Sequence, residues 1–250
     1  MKALVERGAA INNTNEYGET ALMVAAKFGK LEIFRYLTEI GADINIRNAK
    51  NNNNTALHSA AKSGSVDIIK LLLDKGMSVN LTTKDSTLLH VSAEFGNLWA
   101  TETLVERGAA INNTNKYGET ALMVAAKFGK LEIFRYLTEI GADITIRNVK
   151  HKNNTALHYA ALSGSLDIIK LLLDKGMSAN LTNTDESTLQ HFSVEFGHLE
   201  ATKTLVERGA AINNTNKYSA TALIADAELG KLEVFRYLTE TGADTNNRDA

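Results

Sequence analysis

The sequence predicts an all-α solenoid of helix-turn-helix units with projecting β-hairpin loops. The first reason is a long duplication. Leu4 to Lys50 recurs as Leu104 to Lys150 with three differences in 47 positions, Glu16/Lys116, Asn45/Thr145 and Ala49/Val149, and a partial third copy begins at Leu205. The second is a shorter period inside it. A tetrapeptide T-x-L-x or T-L-x-H starts at Thr20, Thr55, Thr87, Thr120, Thr155, Thr188 and Thr221, at spacings of 35, 32, 33, 35, 33 and 33. Each Thr is followed by a small-residue pair, then by a Gly (Gly29, Gly64, Gly96 and so on), an apolar stretch and a closing Gly such as Gly41 or Gly76. Periods of this length mark stacked arrays. The third reason is helical spacing of apolar residues within each apolar stretch.

In each unit the first helix is expected from about Thr20 to Phe28, with Thr as the N-cap accepting a backbone N–H from the next turn. The Ala25-Ala26 pair is small enough to let neighbouring helices approach closely. The second helix is expected from about Leu31 to Ile40. Leu31, Phe34 and Leu37, joined by Ile33, form one apolar face, and Glu32 and Arg35 can pair on the other. Gly41 follows as a left-handed C-cap. There is no proline in the 250 residues, so turns cannot use a fixed φ. Clustered Asn, as at Asn51 to Asn54, takes over because it tolerates the left-handed region and bonds its own backbone. One helix pair cannot bury its own apolar face, and stacking seven of them would make a continuous core.

Thr55-Ala-Leu-His58-Ser-Ala-Ala-Lys-Ser-Gly64 and Gly41-Ala-Asp-Ile-Asn45 resemble the T-P-L-H-x-A-A-x-x-G core and G-A-D-x-N close of the ankyrin repeat family. The resemblance spans the whole chain. It implies a partial repeat at residues 1–14 and full repeats at 15–49, 50–81, 82–114, 115–149, 150–182, 183–215 and 216–250. Ala or Leu stands where the family has Pro, which keeps the helix because both are good helix formers. The resemblance also implies that His58, His90, His158 and His191 hydrogen-bond near the repeat Thr rather than ligate a metal, and that binding uses the hairpin tips and the concave side of the first helices.

Bulk properties exclude several functions. A net charge of -2 and a pI near 6.3 lack the basic surplus of a duplex-binding protein. With no Cys there is no disulfide framework and no thiolate metal site. The first residues, MKALVERGAAINN, lack the apolar core of a signal peptide, and no apolar run reaches the length of a membrane span. A cytoplasmic or nuclear location is therefore expected, and the sequons at Asn12, Asn53, Asn80, Asn112, Asn153, Asn180 and Asn213 read as hairpin asparagines rather than glycan sites. No hydrolase, phosphate-loop, zinc-protease or dinucleotide motif is present. No enzyme activity, cofactor or metal is expected.

The candidate site is a surface stripe. The two residues before each inter-helix Gly, which face the concave side in the family, include Lys27-Phe28, Lys62, Phe95, Lys127-Phe128, Leu162 and Phe196. Tyr17, Tyr117 and Tyr218 stand at hairpin tips, and Tyr159 replaces Ser59 between the copies. Aromatic anchors with charged neighbours are what protein interfaces prefer. The expected function is a non-enzymatic scaffold that binds a protein partner, not nucleic acid or a membrane. The alternative is a targeting region of a larger protein whose enzyme, effector or toxin domain lies elsewhere. Uncapped ends are expected to allow weak self-association. Asp226, where other units have Ala25, Ala60 and Ala160, is expected to be costly in a tight interface.

Overall fold

A computed structural model describes residues 10–244. The expected all-α repeat class is what it shows. Fourteen helices are present among the described residues: α1 (Ala21–Lys27), α2 (Leu31–Glu39), α3 (Ala56–Ser63), α4 (Val66–Asp74), α5 (Leu88–Phe95), α6 (Leu98–Glu106), α7 (Ala121–Lys127), α8 (Leu131–Glu139), α9 (Ala156–Ser163), α10 (Leu166–Asp174), α11 (Leu189–Glu195), α12 (Leu199–Glu207), α13 (Ala222–Leu229) and α14 (Leu232–Glu240). The chain divides into two compact units, one ending at Ala121 and the other beginning at Leu122. Within each, first helices pack on first helices (α1 on α3 on α5; α9 on α11 on α13) and each packs on its own second helix. Most of the partial repeat expected at 1–14 lies outside the described residues.

The first helices begin as the sequence predicts. Thr20 Oγ1 accepts the Met23 N–H at 3.2 Å and Thr221 Oγ1 that of Ile224 at 3.3 Å. Where His stands three residues on, the cap is reciprocal: His58, His158 and His191 each accept the N–H of their Thr at Nδ1, at 3.1 to 3.2 Å. This settles the histidine tautomer, because an Nδ1 that accepts leaves the proton on Nε2. The Nε2–H of His191 then donates to the Ala220 carbonyl at 2.9 Å, as that of His90 does to Glu119 at 2.8 Å. Those of His58 and His158 find no acceptor of good geometry.

The small pair in each first helix is buried: Ala25 and Ala26, Ala60 and Ala61, Ala125 and Ala126, Ala160 and Ala161. Phe34, Phe134, Leu57, Ile69 and Leu72 fill the space between the two layers. The residues at and just before the second helix reach back to the preceding unit. Ser63 and Ser65 donate to the Ala26 carbonyl at 2.9 and 3.3 Å, and Ser163 and Ser165 to Ala126 at 2.9 and 3.4 Å. Asn97 Nδ2 donates to the carbonyls of Ala61 and Lys62 at 3.1 and 2.7 Å, and His198 Nε2 to Leu162 at 3.1 Å. Each bond adds a donor to a carbonyl in the last turn of a first helix, where the regular i→i+4 partner is missing. The glycine beneath is required twice over at Gly164, whose φ is +67° and where a Cβ would meet the His198 ring at 2.5 Å.

Two helix pairs carry a buried hydroxyl pair between their first and second helices in place of apolar packing. Thr101 donates to Ser92 at 2.9 Å, and Ser193 and Thr202 lie 2.9 Å apart. The hairpins are short, each closed by one isolated antiparallel bridge such as Thr82 with Thr87. Their turns use Asn as expected: Asn52, Asn53 and Asn153 have φ between 47° and 57°. Among the core positions predicted from periodicity, Ile33 differs. It is exposed and lines an open cleft of about 520 Å³ with Ala21, Val24 and Phe28, whereas its copy Ile133 is buried.

Asp226 is 0 % exposed and neither carboxylate oxygen has a hydrogen-bond partner of good geometry. Burial pushes its carboxyl above the usual range, opposed only in part by the backbone and ammonium of Lys231. Asp226→Ala is therefore expected to raise stability by about 1 kcal/mol or more, read as a higher urea midpoint. A lowered midpoint would show the carboxylate usefully paired.

Burial pushes His58 and His158 down to about 4 and also lowers His90 and His191. The unfolded chain takes up protons below about pH 6.5 that the folded chain refuses, so stability is lost as pH falls from about 6.5 towards about 4. The slope is at most about 1.4 kcal/mol per histidine per pH unit. Urea midpoints measured at pH 7 and pH 5 check this. An equal or higher midpoint at pH 5 would contradict it.

Candidate functional site

The glycine that ends each first helix, and the tight hairpins, bring the predicted stripe onto accessible surface. Tyr17, Phe28, Phe95, Tyr117, Phe128, Phe196 and Tyr218 are between 42 % and 68 % exposed. Their rings do not stand bare. In the first unit the Lys27 ammonium lies 5.8 Å from the Phe28 ring centre, Lys62 lies 4.3 Å from Phe95, and Lys116 lies 5.6 Å from Tyr117. In the second unit Lys127 lies 5.9 Å from Phe128 and Lys217 lies 5.0 Å from Tyr218. Exposed cation–π contacts of this kind contribute about 0.5–1 kcal/mol. The Lys62–Phe95 contact links α3 to α5, so part of the stripe is built between helix pairs rather than within one.

Tyr159 corrects the expected stripe. It is 4 % exposed, and its hydroxyl accepts the Asn148 side-chain N–H at 2.8 Å. A phenol that reaches a buried hydrogen-bond partner is held inward, with the His151 ring stacked at 6.4 Å and Lys127 5.9 Å from the ring. Tyr159 therefore supports the surface from below. Leu162 and Lys127 are half-buried, and Lys27 and Lys62 are exposed.

Each unit carries a cleft where hairpin tips meet the ends of first helices. The cleft of the first unit, about 240 Å³, is lined by Lys27, Lys62, Glu94, Phe95, Asn51 and Asn52, among others. That of the second, about 280 Å³, lies in the same register and includes His151, Lys152, Leu162, Phe192 and Glu195. The tips are tied together. Lys84 N–H donates to Asn52 at 2.9 Å and Lys116 to Asp85 at 2.8 Å; Thr184 donates to Lys152 and Lys217 to Asp185, both at 2.9 Å.

Ion pairs add to this. Lys27 holds Glu19 at 2.9 Å and Lys116 holds Asp85 at 2.9 Å, while Asp185 pairs with both Lys152 and Lys217. The Lys152 and Lys217 ammonium groups hold the Asp185 carboxyl below its usual range, and Lys27 does the same for Glu19. Sequence reasoning missed these tip-to-tip links, which involve residues of ordinary loop composition. It also missed Trp99, 75 % exposed on α6, although Trp99 stands where the second copy has Glu200.

Among the described residues no group of three or more His, Asp or Glu converges as a metal site, and none of their helices is long and apolar enough to cross a membrane. The four repeat histidines each pair with the Thr three residues before them.

A family model described as "Ankyrin repeats (3 copies)" matches residues 47–115, 89–183 and 175–249, and one described as "Ankyrin repeats (many copies)" matches residues 4–53. No curated protein matches the sequence. Among solved structures, the human ASB11 ankyrin repeat domain is similar, with a TM-score of 0.77 and 24% identity over 90% of this chain and 99% of that one. At that identity the likeness shows the fold. The family models, which together cover most of the residues, show more: this chain belongs to the ankyrin repeat family.

Proposed function

We propose that this chain is a non-enzymatic scaffold that binds a protein partner through the first-helix ends and hairpin tips of its units, as ankyrin repeats are generally protein–protein interaction modules. The observation that carries the reading is the exposed aromatic stripe with lysines over its rings. Rings so placed give a large contact area at small entropic cost, and the lysine stems lie along them as further apolar surface. Surrounding ion pairs fix register and exclude wrong partners more than they add affinity. The open cleft at Ala21, Val24, Phe28 and Ile33 supports weak self-association as a second contact of the same chain.

The test for the partner surface is Phe95→Ala and Phe128→Ala, singly and together, against a partner captured on the immobilised chain. Affinity is expected to fall by about 2 kcal/mol or more, with unfolding free energy changed by less than about 1 kcal/mol. A stability loss near 3 kcal/mol would instead make the rings scaffold. For self-association, sedimentation of the wild type is expected to show mass rising with concentration, and Ile33→Lys to abolish the rise. A wild type that stays monomeric at high concentration would refute this part.

A further inference from the structure

The two clefts began as copies and have not stayed so. Between Val66–Thr82 and Leu166–Thr182, two of 17 positions differ, Val66/Leu166 and Val79/Ala179. Of the nine residues lining the cleft of the second unit, five differ from their counterparts. Asn51 has become His151, Asn52 Lys152, Lys62 Leu162, Thr83 Asn183 and Val91 Phe192. Five of the 14 substitutions between residues 51–103 and 151–204 therefore fall on the nine cleft positions; the other nine are spread over the remaining positions and include the buried changes Leu89/Gln190 and Ala93/Val194.

The direction of change is chemical. An exposed ammonium (Lys62) gives way to a half-buried isobutyl group (Leu162), and Val91 to a half-buried ring, Phe192, which lies 5.4 Å edge-on to His158. The lysine gained at the rim is already paired, with Asp185. Glu94 and Glu195 are common to both clefts, so they do not distinguish them. At about 280 Å³ the cavity is smaller than those that enclose a drug-sized ligand, about 300–1,000 Å³. It has room for one large side chain.

Resting on the proposed partner surface, we propose that the cleft of the second unit is a specificity pocket for a single large apolar side chain, of the size of Leu, Phe or Trp, presented by an extended peptide segment of the partner. The cleft of the first unit, with Lys62, Asn51 and Asn52, does not accept that side chain. Leu162 and Phe192 are the apolar part of a lining whose other seven residues are polar, and the polar hairpin residues at the rim hydrogen-bond the flanking backbone.

The experiment is selection of phage-displayed random peptides on the full chain, followed by titration of synthetic selected peptides. The expected peptides share one large apolar residue and bind at a stoichiometry of one. Leu162→Lys with Phe192→Val weakens them at least tenfold. Both replacements already occur in the same register of the first unit, and an unchanged unfolding midpoint confirms the fold. The reciprocal Lys62→Leu with Val91→Phe creates a second site and raises the stoichiometry to two.

A wild-type stoichiometry of two, or affinity unmoved by Leu162→Lys with Phe192→Val, overturns the proposal. So does failure of the reciprocal variant to gain a site. If no peptide is selected while Phe95→Ala and Phe128→Ala still abolish partner capture, the pocket is refuted and the broader surface stands. If those variants also leave capture intact, both fail.

Discussion

Between neighbouring first helices stand Ala25 and Ala26, Ala60 and Ala61, Ala125 and Ala126, Ala160 and Ala161, all buried. The other features of each unit follow from how closely these positions let the backbones approach. A side chain no larger than a methyl group brings the end of one helix within reach of the next unit's Ser65, Asn97, Ser165 or His198, whose hydrogen bonds add donors to the carbonyls of its last turn. It also holds consecutive hairpins near enough for backbone bonds from tip to tip. Since no helix pair can bury its own apolar face, this spacing is where stability is shared among neighbours.

Departures from alanine show the two ways a polar group can enter that interface. Ser92 and Ser193 are tolerated because each has a threonine, Thr101 or Thr202, at hydrogen-bond distance in the same pair. The partner turns a desolvation penalty into a satisfied network. Asp226 has no such partner: the position that holds Thr101 or Thr202 elsewhere is Phe235 in the last pair. A carboxyl facing apolar surroundings stays protonated more readily, which is the raised value seen there.

The aromatic stripe and the clefts are by-products of the same geometry. The glycine after each first helix turns the chain sharply, and Phe28, Phe95, Phe128 and Phe196 just before it are left exposed. The second helices remain almost identical between copies, while cleft walls changed in size and polarity. A scaffold whose core residues touch only near neighbours can vary its surface locally without disturbing distant units.

Much of this was legible in the sequence. Seven evenly spaced Thr positions, the small pairs and the closing glycines determined the helix pairs, their caps and the family, because these depend on local backbone chemistry that repeats. The burial and lack of partners of Asp226 followed from a single residue out of pattern. The exposure of Phe95, Phe128 and Phe196 also followed, since register alone places them. What only the tertiary structure decided depends on side chains meeting from different units. Tyr159 turned inward because Asn148, eleven residues earlier, offers its hydroxyl a buried N–H. Asp185 gathered lysines from the hairpins on either side, and Lys62 reached Phe95 across a helix interface. Periodicity fixes which face a residue occupies, but a contact between units is a matter of distance and rotamer that no spacing along the chain encodes.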